Sequence, residues 1–406
     1  SNEVINPTPE PVVPCTLEDL EPLLKHLNAH KGGGGYVSST TRFTKGTITP
    51  DGRLDLCKQV VGPKGIDPLL ESLVGTTGVD RLLLGNNIVG DDAGKSIASA
   101  IRNPACPLTT WYIAGNHLSA KGLKPICEAL HDNKQVDQLW LKRNPVLPAG
   151  AKLISDLLTK NKTLTVLDLV NCGLLNEGLE SVLDGLRHNT TMRHLYLGTN
   201  GITEDGGEMI SSFLLDKKKQ TKLHTLYLSC NRLGDKGALA LVPGLRSDKY
   251  LKRLGLAANR IKHEGAKAIA EAVSDHPSLQ KLDLGYVRSA RAVSELGNRI
   301  EDKGAEALAQ LIASNGTLRS IDCIHNRITE KGLAALRASL ENNRTLTSLA
   351  CVQFGIYNEL TYERIKTLLA RNRKAALAEG ISSKDLDHVD QPQHLQDILS
   401  VYRMAK

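Results

Sequence analysis

Apolar and polar positions alternate along this chain in a short pattern that returns at a nearly fixed interval. Leu226-x-Leu228-x-x-Asn231 is a representative copy. Its first apolar position recurs in eleven copies, with steps of 28 or 29 residues except for one of 31 and one of 39. A period of this length predicts a solenoid of stacked units. The eleven positions are Leu54, Leu82, Trp111, Leu139, Leu167, Leu195, Leu226, Leu254, Leu282, Ile321 and Leu349.

Each unit predicts a short strand followed by a turn and a helix. The two leucines point to one side of the strand, and the residue between them, Tyr227 in this copy, points to the other. Asparagine holds the sixth position in eight units, where its amide can satisfy main-chain groups buried at a turn. Asp235-x-Gly237 marks a helix start with Asp as its cap. Neighbouring units must bury each other's apolar sides, and their stacked asparagines can form a ladder.

The 28-residue unit, the L-x-L-x-x-N core and the D-x-G-x-x-x-L helix start resemble the ribonuclease-inhibitor-like class of leucine-rich repeats, over about residues 50 to 360. The resemblance implies an α/β leucine-rich-repeat solenoid of about eleven repeats, curved into a horseshoe. A parallel β-sheet would line the concave side and α-helices the convex side. The class includes ribonuclease inhibitor, the Ran GTPase-activating protein, sensor domains of innate-immune receptors and bacterial secreted effectors. No motif in this sequence selects one of them.

The ends of the chain depart from the repeat and set the predicted domain boundaries. An amphipathic helix is predicted from Thr16 to His30, with Thr16 as its N-cap. Two further helices, Thr361–Glu379 and about Gln393–Met404, are predicted to close the C-terminal end of the array. The predicted divisions are a disordered tail (1–14), an N-terminal cap (15–52), the leucine-rich repeats (53–360) and a C-terminal helical cap (361–406).

The middle residues of the strands form a row on the predicted concave side. Four of its eleven positions are aromatic, although the whole chain has only two Trp, nine Tyr and three Phe. Exposed Tyr and Trp beside Arg are typical of binding hot spots, while aromatic residues also favour strands without any ligand. We predict that a partner protein binds this row. The predicted site consists of Tyr112, Trp140, Tyr196 and Tyr227 as anchors, with Lys142, Arg143, Asp168 and His194 beside them.

The step of 39 residues provides a second candidate, because it inserts eleven residues between Leu284 and Asn298. Insertions in repeat proteins map to loops, often on a binding face, although a long surface loop costs little entropy and needs no function. Tyr286, Arg288 and Arg291 would let this loop, residues 286–297, reach over the rim. The alternative function is therefore a regulator of a GTPase or other nucleotide hydrolase, acting through the rim and this loop.

The net charge indicates which kind of partner to expect, and the cysteines indicate in which cellular compartment the protein works. The net charge of +7 is mild for 406 residues, which disfavours nucleic acid as a partner. Eight cysteines show no C-x-x-C pair or metal spacing, which predicts free thiols in a reducing, cytoplasmic compartment. The sequence has no apolar run of membrane length. We expect a monomer without membrane contact.

The sequence contains no constellation for catalysis. H-E-x-x-H and G-x-S-x-G are absent, and the twelve histidines are scattered. We therefore expect a non-catalytic interaction scaffold without cofactor or metal. Four N-x-T sequons return with the repeat, so turn chemistry explains them better than glycosylation. Their asparagines are Asn161, Asn189, Asn315 and Asn343.

Overall fold

The structure is a computed structural model that describes residues 12–352 and 359–402. The predicted tail, residues 1–14, therefore falls mostly outside the described residues, as does the predicted helix end at Met404. In the described part, strands and helices alternate in the predicted order. The strands are β1 Thr41–Arg42, β2 Thr47–Ile48, β3 Arg53–Asp55, β4 Arg81–Leu83, β5 Thr110–Tyr112, β6 Gln138–Trp140, β7 Val166–Asp168, β8 His194–Tyr196, β9 Thr225–Tyr227, β10 Arg253–Gly255, β11 Lys281–Asp283, β12 Ser320–Asp322 and β13 Ser348–Ala350.

Helices follow the strands in each repeat and also flank the array. A short 3₁₀ helix, Arg288–Val293, lies in the insertion after β11. The α-helices are α1 Leu17–Ala29, α2 Gly62–Leu73, α3 Ala93–Arg102, α4 Ala120–Leu130, α5 Leu147–Lys160, α6 Leu175–Arg187, α7 Glu204–Leu215, α8 Gly234–Ser247, α9 His263–Ala272, α10 Glu301–Ser314, α11 Glu330–Asn342, α12 Glu359–Ala378, α13 Ser383–Asp390 and α14 Gln393–Gln396.

The strands are ordered as in the chain, from β1 to β13, in an open sheet. β1, β2 and β3 pair antiparallel, whereas the strands from β3 to β7 and from β9 to β13 pair in parallel. This arrangement confirms the predicted α/β leucine-rich-repeat solenoid. The chain divides into two compact units. The amino-terminal unit holds the described residues through Leu195 and those from Gln393 onward, and the carboxy-terminal unit holds Tyr196 through Pro392.

The repeat leucines form the core that the pattern predicts. Leu226 and Leu228, on either side of Tyr227, are 2% and 0% exposed. Trp111 takes the same position as Leu226 in its own repeat and is also fully buried. Because each strand buries only two or three apolar side chains, the core continues through the stack only when neighbouring repeats are present.

The predicted asparagine ladder is present. Asn144 Oδ1 accepts hydrogen bonds from the main-chain N–H groups of Asn116 (2.9 Å) and Leu118 (3.1 Å). Its Nδ2 donates to the carbonyl oxygens of Ile113 (3.0 Å) and Leu141 (2.8 Å). One buried side chain therefore joins two neighbouring repeats through four bonds. Four such bonds are also made by Asn116, Asn231 and Asn298, and three by Asn87.

The aspartates at the helix starts cap a different helix from the one predicted. We expected Asp235 to cap α8, but α8 has no side-chain cap. Asp235 Oδ1 instead accepts from the N–H groups of Lys262 (2.7 Å) and Gly265 (3.0 Å), at the start of α9. Asp235 lies inside the first turn of its own helix, so its carboxylate reaches sideways to the next repeat. Asp91 and Asp302 make the same contact.

The sequon asparagines form a second set of cross-repeat bonds. Asn189 is 0% exposed, and its Nδ2 donates to the carbonyl oxygens of Leu158 (2.8 Å) and Asn161 (3.2 Å). Its Oδ1 accepts from the N–H groups of Thr191 and Met192. A buried amide with both hydrogens engaged is not available to a glycan, so turn chemistry accounts for the motif as predicted.

Candidate functional site

The side of the sheet opposite the leucine core carries two rows of side chains, which we call the strand-centre face. One row is the middle residue between the paired leucines, and the other is the residue just before the first leucine, because side chains alternate along a strand. In the amino-terminal unit, the parallel register aligns Asp55, Leu83, Tyr112, Trp140 and Asp168 in the middle row, and Arg53, Arg81, Thr110, Gln138 and Val166 in the preceding row.

Tyr112 and Trp140 lie together on this face but are not exposed. Their ring centroids are 6.2 Å apart, and each residue is 1% exposed. The exposure that we predicted for these two rings is therefore wrong. Residues 393–402, which we call the C-terminal segment, lie against the same face. The imidazole of His394 stacks on the Trp140 indole at 6.2 Å and lies 4.0 Å from the ring of His194.

Asp397 forms the polar centre of this contact. Its Oδ2 accepts a hydrogen bond of 3.1 Å from Nε2 of Gln138, and its Oδ1 lies 3.7 Å from Nε of Arg81. Gln138 in turn accepts a 3.2 Å hydrogen bond from the indole N–H of Trp140. The amide of Gln138 therefore links the anchor predicted from the sequence to a carboxylate on the C-terminal segment.

The end of the segment binds at β3. Ser400 Oγ donates to Asp55 Oδ1 (3.1 Å), and the main-chain N–H of Val401 donates to Asp55 Oδ2 (2.7 Å). Arg53 donates to the carbonyl oxygen of Leu399, and the hydroxyl groups of Tyr402 and Thr47 are 2.8 Å apart. The segment is thus recognised through both its side chains and its main chain.

These contacts correct the prediction for the C-terminal end of the chain. We expected a helix over about Gln393–Met404 that closes the last repeat. The helix is only four residues long, Gln393–Gln396, and the segment contacts β2, β3, β4, β6 and β8 instead. His394, Asp397 and Ser400 are spaced by three residues and are all buried on the strand-centre face, so side-chain contacts there replace helix continuation.

The segment places acidic groups close together. Burial is the main cause that raises the pKa of Asp137 to about 6, and the nearby charge of Asp397 raises it further. Arg81 acts in the opposite direction, and Asp80 adds to the repulsion. Asp137 Oδ1 is buried and has no hydrogen-bond partner in the described structure. Docking of Asp397 beside Asp137 therefore carries an electrostatic cost near neutral pH.

In the carboxy-terminal unit, helix α13 lies against the strand-centre face. Asp390 accepts from Nζ of Lys281 (2.8 Å) and from Oγ of Ser320 (2.7 Å). Arg253 donates to the carbonyl oxygens of His388 and, at 3.0 Å, of Val389. The residues that receive α13 all come from the row before the first leucine.

Two carboxylates neighbour this contact. Burial raises the pKa of Asp283 to about 6, with the charge of Asp322 as the second cause. The pKa of Asp322 is also raised, again mainly by burial. Both groups lie near Asp390, whose charge adds to the shift of each. Paired carboxylates of this kind can serve acid–base chemistry, but they are equally a consequence of three acids gathered under a covering helix.

The other two predicted anchors lie in the carboxy-terminal unit. The rings of Tyr196 and Tyr227 are 5.7 Å apart, and Tyr196 is 8% exposed. The Tyr227 ring occupies the space above Gly198 and Gly255, where an added Cβ would come within 2.7 Å of it. Glycine at these two positions therefore allows the ring to lie flat on the sheet.

Some polar residues of the predicted site lie on the strand-centre face, and others lie in the turn at its edge. Asp168 is 4% exposed, and its Oδ1 accepts from the N–H of Val170 (2.8 Å), which stabilises the strand end. His194 contacts the C-terminal segment through His394. Lys142 is half-buried and Arg143 is exposed, both in the turn after β6. The structure thus brings His194 to the same contact as Trp140 and leaves Arg143 at the edge.

The insertion, residues 286–297, is folded onto two preceding repeats. Glu295, with a side chain only 5% exposed, pairs with Arg232 Nε (2.7 Å) and with Arg260 Nη2 (2.9 Å). Ala290 packs in a small cluster with Cys230 and Ala258. One buried carboxylate therefore holds the loop against the turns that follow β9 and β10.

The outward side of this loop is basic and partly apolar. Arg288 and Arg291 are exposed, and Leu296 is 62% exposed. Tyr286 faces inward, with its ring edge-on to His325 at 4.9 Å. The two arginines are therefore displayed, while Tyr286 helps to anchor the loop.

Apart from His194, sequence reasoning missed the row before the first leucine, and it missed the contact of the C-terminal segment with this face. Arg81, Gln138 and Lys281 carry the contacts to residues that arrive from the chain end. The repeat template would have placed these three residues on the same face as Trp140. Gln138 lies two positions before Trp140 in β6, and Arg81 and Lys281 hold the same position as Gln138 in their own strands. No periodic signal marks Asp390 or Asp397, because neither lies in a repeat.

The comparison with family models agrees with this architecture. A model described as Leucine Rich repeat matches residues 105–127, 160–183, 188–211, 219–242 and 297–309. These matches recur along the same array that the ladder and strand register define. The chain is a leucine-rich-repeat protein.

Comparisons with individual proteins add little to this leucine-rich-repeat assignment. No curated protein matches the chain. Among solved structures, Leiomodin-1 Actin-Binding Site 2 (ABS2) matches with 16% sequence identity, over 62% of this chain and 96% of that chain, at a TM-score of 0.27.

Searches of the described residues for a metal site or a membrane helix gave no candidate. No group of three His, Cys, Asp or Glu side chains there could hold a metal ion. Likewise, none of the helices in the described ranges is both long and apolar enough to cross a bilayer.

Proposed function

We propose that this leucine-rich-repeat protein is a non-catalytic interaction scaffold that binds a partner protein on the strand-centre face. The observation that carries the proposal is that this face already binds a polypeptide. In the amino-terminal unit, the C-terminal segment is held by an aromatic stack on Trp140, a carboxylate contact to Gln138 and Arg81, and main-chain bonds to Asp55 and Arg53.

The composition of the face suits such binding. Tyr112, Trp140, Tyr196 and Tyr227 supply rigid rings with large contact area, and rings of this kind dominate binding free energies at protein interfaces. Lys142, Arg143, Asp168 and His194 would surround them with polar contacts. A partner that replaces the C-terminal segment would find both ring surfaces and hydrogen-bonding groups already in place.

The state of the cysteines supports action in the cytoplasm. None of the eight forms a disulfide, and seven of them are buried. A chain with this many cysteines outside disulfides suits a reducing compartment. In our proposal the protein works there as a monomer, which light scattering of the purified chain would test directly.

Site-specific photo-crosslinking tests where a partner binds. A photoreactive phenylalanine is placed at position 140 on the face, at position 296 on the insertion, or at position 239 on the outside of α8, where Leu239 is 51% exposed. Cell extract is added, and crosslinked proteins are identified. We expect a protein crosslinked from position 140 and absent from position 239. The same set of proteins at all three positions would contradict the proposal.

A second candidate function is regulation of a GTPase or other nucleotide hydrolase through the insertion. It is favoured by the exposed Arg288 and Arg291 on a loop that Glu295 holds in place. Arginine is the residue type best suited to contact phosphate groups. Replacing both arginines by alanine would then abolish stimulation of the hydrolase crosslinked from position 296. An unchanged hydrolysis rate would exclude this function.

A further inference from the structure

The C-terminal segment differs from the core in the kind of side chain that it buries. Its buried residues include His394, Asp397 and Ser400, which are 7%, 7% and 1% exposed, whereas its Leu399 is 46% exposed. A segment that completes a hydrophobic core would be expected to bury leucine and expose aspartate. This segment instead presents ring, carboxylate and hydroxyl groups at intervals of three residues to a receptive surface, as a bound ligand does.

Its position on the sheet also separates it from a structural cap. The residues that it contacts belong to β2, β3, β4, β6 and β8, and strands β2 to β6 already pair in sequence order through main-chain bonds. The asparagine ladder at Asn87, Asn116 and Asn144 closes these repeats on the other side of the strands. The sheet therefore has its own hydrogen bonds and core without the segment.

The contact includes an unfavourable component. Asp397 lies in the field of Asp137, and Asp137 Oδ1 is buried without a hydrogen-bond partner. A charge pair of like sign weakens docking, while the covalent connection to α13 keeps the segment at high local concentration. High local concentration keeps the segment bound when no partner is present. Its weak intrinsic affinity would allow another chain to displace it.

We infer that the C-terminal segment is an internal competitor that occupies the partner site on the strand-centre face until a partner segment with the same chemistry displaces it. This inference rests on the proposed function. The partner segment would carry an imidazole or aromatic ring, a carboxylate three residues later, and a hydroxyl or free main-chain N–H after three more. These groups would meet Trp140, the pair Gln138 and Arg81, and Asp55.

Such a competitor has two consequences for binding. It covers the Trp140 ring and so keeps it from non-specific contacts when no partner is present. It also lowers the apparent affinity of a partner by the fraction of molecules in which the site is open. Release of the segment therefore increases partner affinity without any new contact.

Fluorescence quenching of the full chain tests the release. The chain has two tryptophans, and Trp111 is in the core. Asp397→Lys places a cation beside Arg81 and should release the segment, with red-shifted emission and loss of protection from acrylamide. The change should disappear in a Trp140→Phe background. Leu399→Lys introduces a lysine on the solvent side of the segment and should leave Trp140 protected.

A peptide supplied in trans tests competition. A labelled peptide of residues 391–402 is titrated into the wild-type chain and into the Asp397→Lys variant. We expect binding to the variant to be about tenfold tighter or more, because its own segment no longer competes. His394→Ala with Ser400→Ala provides a second released variant if Asp397→Lys does not fold.

The outcomes separate the inference from the proposed function. Equal peptide affinity for wild type and both variants, or protection of Trp140 in folded released variants, would overturn the inference. A dimer whose amount rises with concentration would also overturn it, because the segment would then belong to a second copy. Tight peptide binding to the variants, with no protein crosslinked from position 140 in their extracts, would uphold the internal segment and contradict the proposed function.

Discussion

The imidazole of His394 stacks on the indole of Trp140, with ring centroids 6.2 Å apart. The first residue comes from the short helix α14 and the second from strand β6 of the amino-terminal unit. Their contact means that the most prominent aromatic group of the strand-centre face is covered by the protein itself. Function at this face therefore depends on how firmly the segment is held.

Docking of the C-terminal segment should weaken as the pH rises. Burial is the largest cause that raises the pKa of Asp137 to about 6, and the nearby charge of Asp397 raises it further, so docking of the segment favours the protonated form of Asp137. This favourable contribution is lost as the pH rises through about 6. Acrylamide quenching of Trp140 should therefore increase between pH 5 and pH 7.5.

The matched control for this pH effect is Asp137→Asn, which removes the titrating group that faces Asp80, Arg81 and Asp397. The variant should lose most of the difference in quenching between the two pH values. If the full pH dependence persists in Asp137→Asn, another group controls docking.

The asparagine ladder should be the main polar contribution to stability in each repeat. Asn144→Ala leaves the N–H groups of Asn116 and Leu118 and two carbonyl oxygens without their partner. We expect a loss of about 3 kcal/mol in the free energy of unfolding, measured by urea denaturation.

The reverse change is available in the next repeat, where Cys172 takes the ladder position and its Sγ lies 3.4 Å from the carbonyl oxygen of Leu141. Cys172→Asn should stabilise the protein by about 1 kcal/mol, since an amide donates better than a thiol. Equal stability of Asn144→Ala and wild type would contradict the role of the ladder.

The cross-repeat cap predicts a different cost for two adjacent aspartates. Burial acts to raise the pKa of Asp91, but hydrogen bonds from Ser119 and Gly122 outweigh it and leave the pKa below its ordinary value. Asp91→Asn should lower the free energy of unfolding by about 1 kcal/mol. Asp92→Asn should have almost no effect, because the Asp92 side chain is 94% exposed. Denaturation at pH 7 compares the two, and equal losses would show that the cap does not matter.

Much of the fold could be predicted from the sequence because the repeat makes it redundant. Leu226, Leu228 and Asn231 each have equivalents in most repeats, so periodicity alone identifies the core and the ladder. The sequence could not predict that Asp235 caps α9 rather than α8, since this depends on how the start of one helix packs beside the start of the next. The binding position of Asp397 could not be predicted either, because its contact with Gln138 in β6 joins residues far apart in the sequence and leaves no local sequence pattern.

In the candidate site, too, the repeat predicts the position of a residue but not its contacts with residues outside the repeats. Tyr112 and Trp140 were placed correctly on one face by the alternation of the strand. The burial of Trp140 was missed, because His394, which stacks on its ring, lies outside the repeats.

The loop that carries Arg288 and Arg291 should depend on Glu295. Glu295→Ala removes the carboxylate that pairs with Arg232 and Arg260, so the loop should open while the repeats stay folded. Hydrogen exchange at residues 286–297 should become faster. Glu301→Ala removes a carboxylate that pairs with Arg299 and is 46% exposed, and it should leave exchange in the loop unchanged. Unaltered exchange in Glu295→Ala would mean that the small apolar cluster at Ala290 suffices to hold the loop.

The most direct test of polypeptide binding at the strand-centre face is the indole N–H spectrum of the Asp397→Lys protein during titration with the peptide of residues 391–402. The Trp140 indole bonds to Gln138 under the bound segment, whereas Trp111 lies in the core. We predict that the Trp140 resonance shifts saturably to a position close to that of the wild-type chain, while Trp111 does not move. A titration in which the Trp140 resonance stays in place, or in which both resonances move together, would contradict the account.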